Sequence, residues 1–444
     1  MSRRVLRSIA LLAVLLPAAA RAEGPTPAPP ALPASAPVKA ASVAGVAYKP
    51  YLAEVGRSNL ELIAQRVNVT IADAQIGVAR VFSDPTLTAG LASLDVSSKG
   101  APTSTTLGLG YTVELGGKRS ARIAAATSDA AAARADLDDF SRNLRASATG
   151  SFIDCLYAQL VLNLKQQTLG RLEKLVGINQ ERLRAGDVGK VALTQSRVEA
   201  QRFRGEVLTA EADLAAANLA LALYLGGAGG AARAKVSAAG DLKMKSRAFD
   251  VEALVAQARS SRPDLLSRRR AVESANARIN LARANRWVDV TLNVGWQHSF
   301  KTSATGAFPG PAFDALAATM SVPLPLSKVY RGELDAALAT EAQGRATVQA
   351  VELKIDVEVR QAALRYKAAV EKIGLYTGGL LTDAEQVLDA TLYNYQRGGA
   401  TLLEVLEAQR TLNDVDLSYY DALAEHARAL VALEQVVGMW DVDL

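Results

Sequence analysis

Histidine and cysteine are almost missing from this chain. Its 444 residues include two histidines, His298 and His426, and one cysteine, Cys155. That is too few for a tetrahedral metal cluster and rules out a disulfide within one chain. Aromatics are scarce as well, at 5% of residues, which does not suit an all-β protein. The net charge of +5 is small for this length and spread along the chain, so no basic stripe marks a nucleic-acid surface. No segment holds the roughly 18 uninterrupted apolar residues that a membrane-spanning helix needs. No nucleophile stands beside a base, and the glycine run Gly226 to Gly230 lacks the Lys-Ser/Thr that would follow in a phosphate loop. The expectation is therefore no enzyme, no cofactor and no metal ligand set. What remains is 50% apolar and 21% charged, too apolar for a disordered chain and rich in alanine, the strongest helix former.

The first residues read as an address. Arg3, Arg4 and Arg7 precede the short apolar run Ile9 to Leu16, and Ala20-Arg21-Ala22 stands before Glu23. This is the pattern of a secretory signal peptide over 1–22. Residues 23–50 carry seven prolines among Ala and Ser, the composition of a flexible leader.

Beyond Pro50, proline is absent from 103–262 and again from 326–444. Because proline costs about 3 kcal/mol inside a helix, these tracts can hold very long ones. Residues 117–185 and 328–396 each read as one helix, roughly 100 Å long at about 1.5 Å per residue. Helices of that length need partners along their whole course. Between them lie four strand-like segments: Thr86 to Val96, Thr105 to Leu115, Val290 to Phe300 and Phe313 to Val322. Each has about the 10 residues that a tilted transmembrane strand requires; two hairpins on a soluble domain are the alternative.

The chain also repeats itself. Val113-Glu114-Leu115 with Arg122 matches Val322-Pro323-Leu324 with Arg331 at an offset of 209, and Val188-Gly189 falls on Arg397-Gly398 at the same offset. Leu87 and Gly90 match Leu292 and Gly295 at 205. This long period indicates duplication. The expected halves are 51–226 and 250–440, joined by a linker over 227–249. Four strands cannot close a barrel, and open edges are not tolerated in lipid, so membrane strands would have to be pooled from several chains.

Together these features resemble the outer-membrane factors of the TolC family over about 50–440. The motifs that carry the resemblance are Val188 to Thr194 at the first helix-hairpin turn and Tyr395 to Ala408 at the second. Ser321-Val322-Pro323-Leu324-Pro325-Leu326 and Arg262-Pro263-Asp264-Leu265 add to it. The resemblance implies a mostly α fold with a small membrane β part. Its duplicated strand-strand-helix halves would be pooled by a homotrimer into a twelve-stranded barrel, continued by a long periplasmic helical barrel. It implies a passive exit duct in the outer membrane of a Gram-negative bacterium. Its partners would be outer-membrane lipid, a periplasmic adaptor (membrane fusion protein) and an inner-membrane pump of the resistance-nodulation-division type, with no nucleic acid.

Pro323 and Pro325, with Gly116 and Gly117 in the first half, would turn strand into helix. Val188, Gly189, Lys190, Gly398, Gly399 and Ala400 would meet the adaptor, although glycines that simply permit a turn explain the same pattern. Glu404 and Glu407, three apart on one helix face, would form carboxylate rings at the periplasmic aperture. Tyr395 would pack or hydrogen-bond there, and neutral Gln195 would stand in the matching place of the first half. A solvated helix face is the plainer reading of both carboxylates. Lys190 and Ala400 depart from the residues common in the family. The stretch Glu114 to Arg119 leans toward the branch that serves heavy-metal exporters. Drug efflux and type I protein secretion are the alternatives, and a structural periplasmic coiled-coil protein without a pore is a further rival.

Overall fold

The computed structural model describes residues 45–92, 104–226, 236–243, 247–300, 311–324 and 329–440. The signal peptide, most of the proline-rich leader, the Lys99 to Pro102 loop, most of the glycine run at 226–230 and Pro325 lie outside them. The flexible leader expected through residue 50 ends sooner. β1 (Val46–Ala47) pairs in parallel with β4 (Ala238–Ala239), and α1 (Tyr48–Ser58) already contains Pro50. Proline is tolerated there because the N–H groups of a first helical turn have no intrahelical acceptor.

Long helices dominate, as composition and proline placement indicated. α2 (Leu60–Arg80) leads to β2 (Thr86–Ala92) and β3 (Ser104–Val113). α3 (Lys118–Ala185) runs 68 residues without interruption, about 100 Å, and α4 (Lys190–Leu223) returns along it. The second half follows the same order. α5 (Val251–Ser261) and α6 (Pro263–Ala284) precede β5 (Val290–Ser299) and β6 (Phe313–Ser321). Then come α7 (Val329–Leu375), α8 (Leu381–Gln396) and α9 (Leu402–Val437).

The expected single helix over 328–396 is not continuous. A π turn, Tyr376–Leu380, separates α7 from α8, and Gly379 within it has φ 136°. The physical reason is the Gly378-Gly379 pair, because a residue without a Cβ reaches such a φ at little steric cost; the two halves also differ in spacing. The left-handed glycines that close the hairpin turns are Gly186 and Gly398, 212 residues apart, whereas the strand ends match at 209. The second half therefore carries three more residues between strand and turn. The same count corrects the pairing at the turns: Gly189 corresponds to Thr401, and Gln195 to Glu407.

The main core gathers where α1, α3, α4, α6, α7 and α9 converge at mid-length. Tyr51, Phe152, Ile153, Leu221, Leu265, Ile355, Val359, Ile373 and Leu433 are fully buried there. Tyr48 and Tyr51 both pack on Phe152, with ring centroids 5.5 Å apart. Each large apolar side chain buried this way contributes about 1.5–3 kcal/mol. Arg262 is sealed into the same level. It caps the start of α6 and pairs with Asp264 and with Glu358 on α7, both at 2.6 Å. It also donates to the Val436 carbonyl near the end of α9.

Candidate functional site

The four long strands form one antiparallel sheet in the order β2-β3-β5-β6, so β2 and β6 are edges with no further strand in this chain. Register fixes which side chains share a face. Leu107 pairs with Trp296, Leu109 with Val294, and Tyr111 with Leu292; Leu292 in turn pairs with Met320, and Trp296 with Leu316. These residues make one apolar face, exposed in the single chain. The opposite face holds Thr88, Gly108, Gly295 and Ala317 in one row and Thr86, Gly110, Asn293 and Thr319 in the next. It is small, uncharged and hydroxyl- or amide-bearing. The alternation that looked crude in sequence is thus regular across four strands.

His298 lies on the apolar face. It is stacked on Trp296 at 5.9 Å and bonded through Nδ1 to Asp314 at 2.8 Å.

At the corner between sheet and helix, Gly116 and Gly117 have φ 72° and 73°. A Cβ on Gly116 would come within 2.6 Å of the Trp287 ring, so the glycine is required by both conformation and space. Ion pairs pin this corner. Glu114 takes two hydrogen bonds from Arg122, at 2.5 and 3.1 Å, and Lys118 meets Asp289 at 2.7 Å. The Glu114 to Arg119 stretch therefore anchors strand to helix. In the second half, Pro323 follows β6 in irregular backbone.

At the far ends of the long helices, two short turns close the hairpins. In the first, Gly186 takes the left-handed conformation and the Asp187 N–H bonds back to Arg182. Gly189 is extended at the start of α4, a conformation open to any residue. The left-handed residue the turn needs is thus Gly186, which the sequence reading passed over although Gly after a helical run is its usual mark. Val188 is half-buried and Lys190 exposed. In the second turn Gly398 has φ 80° and the Gly399 N–H bonds to the Asn394 carbonyl at 2.8 Å. Ala400 packs against the small apolar cluster of Leu175, Tyr395, Leu402 and Val405.

Tyr395 is 3% exposed. Its hydroxyl bonds to Asn179, its carbonyl accepts from Arg182 Nη1 at 2.7 Å, and the Arg182 guanidinium stacks 4.6 Å over its ring. Burial pushes the Tyr395 hydroxyl above its ordinary pKa. Asn179 and Arg182 lie on α3, so this contact ties the two hairpins together. Neither was picked out from sequence, because nothing in a helical run of Asn, Glu and Arg reveals which partner lies across it.

Glu404 completes a capping box. Its carboxylate accepts the Thr401 N–H at 2.6 Å while Thr401 Oγ1 accepts the Glu404 N–H at 3.3 Å. Glu407, one turn along, is exposed. Exposed apolar side chains, among them Val191, Val198 and Leu403, surround these turns. Cys155 is fully buried in the main core, and burial raises its thiol pKa, which makes it unreactive. Among the described residues no cluster of three or more His, Cys, Asp or Glu side chains is placed to hold a metal ion, and no helix is long and apolar enough to cross a membrane.

Comparison with known proteins places this architecture. The chain is 26% identical over 384 residues to the cobalt-zinc-cadmium resistance protein CzcC of Cupriavidus metallidurans, covering 86% of this chain and 87% of that one. It is 23% identical over 398 residues to nodulation protein T of Rhizobium leguminosarum bv. trifolii, covering 86% and 83%. The fold superposes on a solved structure of CusC, described with transmembrane channel formation, at a TM-score of 0.72 and 20% identity over 88% of this chain and 92% of that one. The family model for outer membrane efflux proteins matches residues 52–227 and 254–439. With both halves matched in turn, this chain belongs to the outer membrane efflux protein family, and its place is the outer membrane.

Proposed function

We propose that three copies of this chain pool their four-stranded sheets into one twelve-stranded barrel and continue it with their long helices as a passive periplasmic duct. The observation that carries this reading is the sheet itself. It has one face apolar from Tyr111 to Trp296, with the His298–Asp314 pair at its end, one mostly small polar face and two open edges. Lipid takes the first, a water-filled lumen the second, and neighbouring copies the third, because unpaired edges are not stable in hydrocarbon. The duct works in a tripartite efflux system: an inner-membrane pump supplies energy and a periplasmic adaptor joins pump to duct at the hairpin turns around Val188, Gly189, Lys190, Gly398, Gly399 and Ala400. The likeness to CzcC supports heavy-metal cations as the exported class. Drug efflux or type I protein secretion is the second reading.

In this assembly Glu404 and Glu407 become rings of three carboxylates at the periplasmic mouth, which favour cations. Planar-bilayer recordings of the purified protein test this. The expected result is a cation-selective conductance whose selectivity falls in Glu407→Gln and further in Glu404→Gln/Glu407→Gln. Unchanged selectivity in the double variant removes the rings, and no conductance from a folded, reconstituted trimer removes the duct.

A further inference from the structure

His426 lies in the middle of α9, 2% exposed, and its Nε2 has no hydrogen-bond partner. A buried, unpaired imidazole nitrogen is unusual, since buried polar atoms are nearly always satisfied. The ring is covered by Tyr366 on α7, centroid to centroid 5.3 Å. Tyr366 has a second task. Its hydroxyl accepts the backbone N–H of Arg247 at 2.9 Å, and its ring meets Phe249 edge-on at 5.3 Å. It thereby fastens the segment before α5 to α7. Tyr366 also lines an open pocket together with Phe249, Lys367 and Glu371.

We propose that His426 and Tyr366 form an acid-sensitive catch at the level of the main core. Protonation of the buried imidazole displaces the Tyr366 ring and frees the 247–250 segment from α7. The proposal does not depend on the trimeric assembly.

Among the described residues burial is the one influence on His426, with no charged group acting on it. Many of the ionisable groups on the surrounding elements are engaged elsewhere. On α9, Glu425 pairs with Lys372 of α7 at 2.8 Å, and Arg428 with Asp154 of α3 at 2.6 Å. Asp421 of α9 holds the Tyr157 hydroxyl of α3. Glu252 of α5 pairs with Arg360 of α7 at 2.8 Å, Asp250 caps α5, and Glu358 of α7 holds Arg262. Lys367 lies 3.9 Å from Glu371 on α7, and Tyr376 and Tyr419 pack ring against ring. Burial alone lowers the His426 pKa, so the neutral ring is the folded form near neutrality. As pH falls below the ordinary histidine range, near 6.5, the closed arrangement becomes steadily less favourable than any that hydrates the ring. Tyr366 both covers the imidazole and lines the pocket, so its displacement is the route by which the charged ring is hydrated. That movement breaks the Tyr366 bond to Arg247.

Amide hydrogen exchange of the full chain in detergent, read by mass spectrometry at pH 7.5 and 5.0 and corrected for intrinsic rates, tests the catch. In the wild type, protection of the Arg247–Val251 segment is expected to fall at least tenfold on acidification. In His426→Leu, and equally in His426→Gln should the leucine variant fail to fold, no such fall is expected. Tyr366→Phe should give low protection at both pH values. Unchanged protection in the wild type, or the same fall in either His426 variant, would overturn the proposal.

Discussion

Glu404 serves its own helix before it serves any pore. Its carboxylate closes the capping box with Thr401, and glutamine can take the same role. The two functions therefore separate by mutation. Thr401→Ala should cost about 1 kcal/mol of stability, read as a lower thermal midpoint, whereas Glu404→Gln should leave stability near the wild type and change only the cation preference. Arg262 is a harder case. Its side chain is 3% exposed and pairs with Asp264 and Glu358, so Arg262→Ala leaves Asp264 without its ion pair and Glu358 with Lys354 alone, and should cost about 3 kcal/mol in denaturant unfolding. Burial by itself would raise the Asp264 pKa, but the hydrogen bond and charge of Arg262 outweigh it and hold the carboxyl below its usual range. The stabilisation is therefore present above the ordinary carboxylate pKa of about 3.9 and is lost as pH falls through the lower folded value. The Arg262-Pro263-Asp264-Leu265 motif was visible in sequence as a family mark. Its clamp on α7 and α9 was not, because both partners lie about a hundred or more residues away.

At the level of elements, the long helices were legible because proline is absent from two tracts and alanine fills them. The break at Tyr376–Leu380 was not, because Gly378-Gly379 inside a helical run is tolerated as often as it interrupts. What decides it is the non-helical backbone of Gly379, which only the fold around the kink selects. Gly379 at φ 136° cannot be replaced without strain, so Gly379→Ala should cost about 1–3 kcal/mol, detected as a lower midpoint of thermal unfolding. At the hairpin turns the sequence drew attention to Gly189 and Gly398, yet the strained positions are Gly186 and Gly398. The tie between hairpins, Tyr395 with Asn179 and Arg182, depends on how α3 and α8 lie side by side. In Arg182→Ala the hydrogen bond to the Tyr395 carbonyl and the stacked cation are lost together, and faster proteolysis at the two turns is the expected readout.

For the whole molecule, duplication and strand count were readable from the chain, and the two faces of the sheet became clear from its register. Alternation within any one strand is a weak signal; four strands in register turn it into a surface. Val294 and Asn293 are neighbours on opposite faces. In the proposed barrel Val294→Arg places a charge against lipid, at about 2–4 kcal/mol near the bilayer centre, and should abolish assembly in membranes. In the proposed barrel Asn293→Arg points into the lumen, and it should assemble normally while lowering cation conductance.

The central claim is that β2 of one copy completes its pairing with β6 of the next. Single cysteines introduced along β2 and β6 in a Cys155→Ser background, oxidised in membranes and separated under denaturing conditions, test it most directly. The account predicts disulfide-linked species that stop at three chains, at one alternating set of residue pairs. Links within a single chain, a ladder that passes three chains, or no link at any register would contradict it.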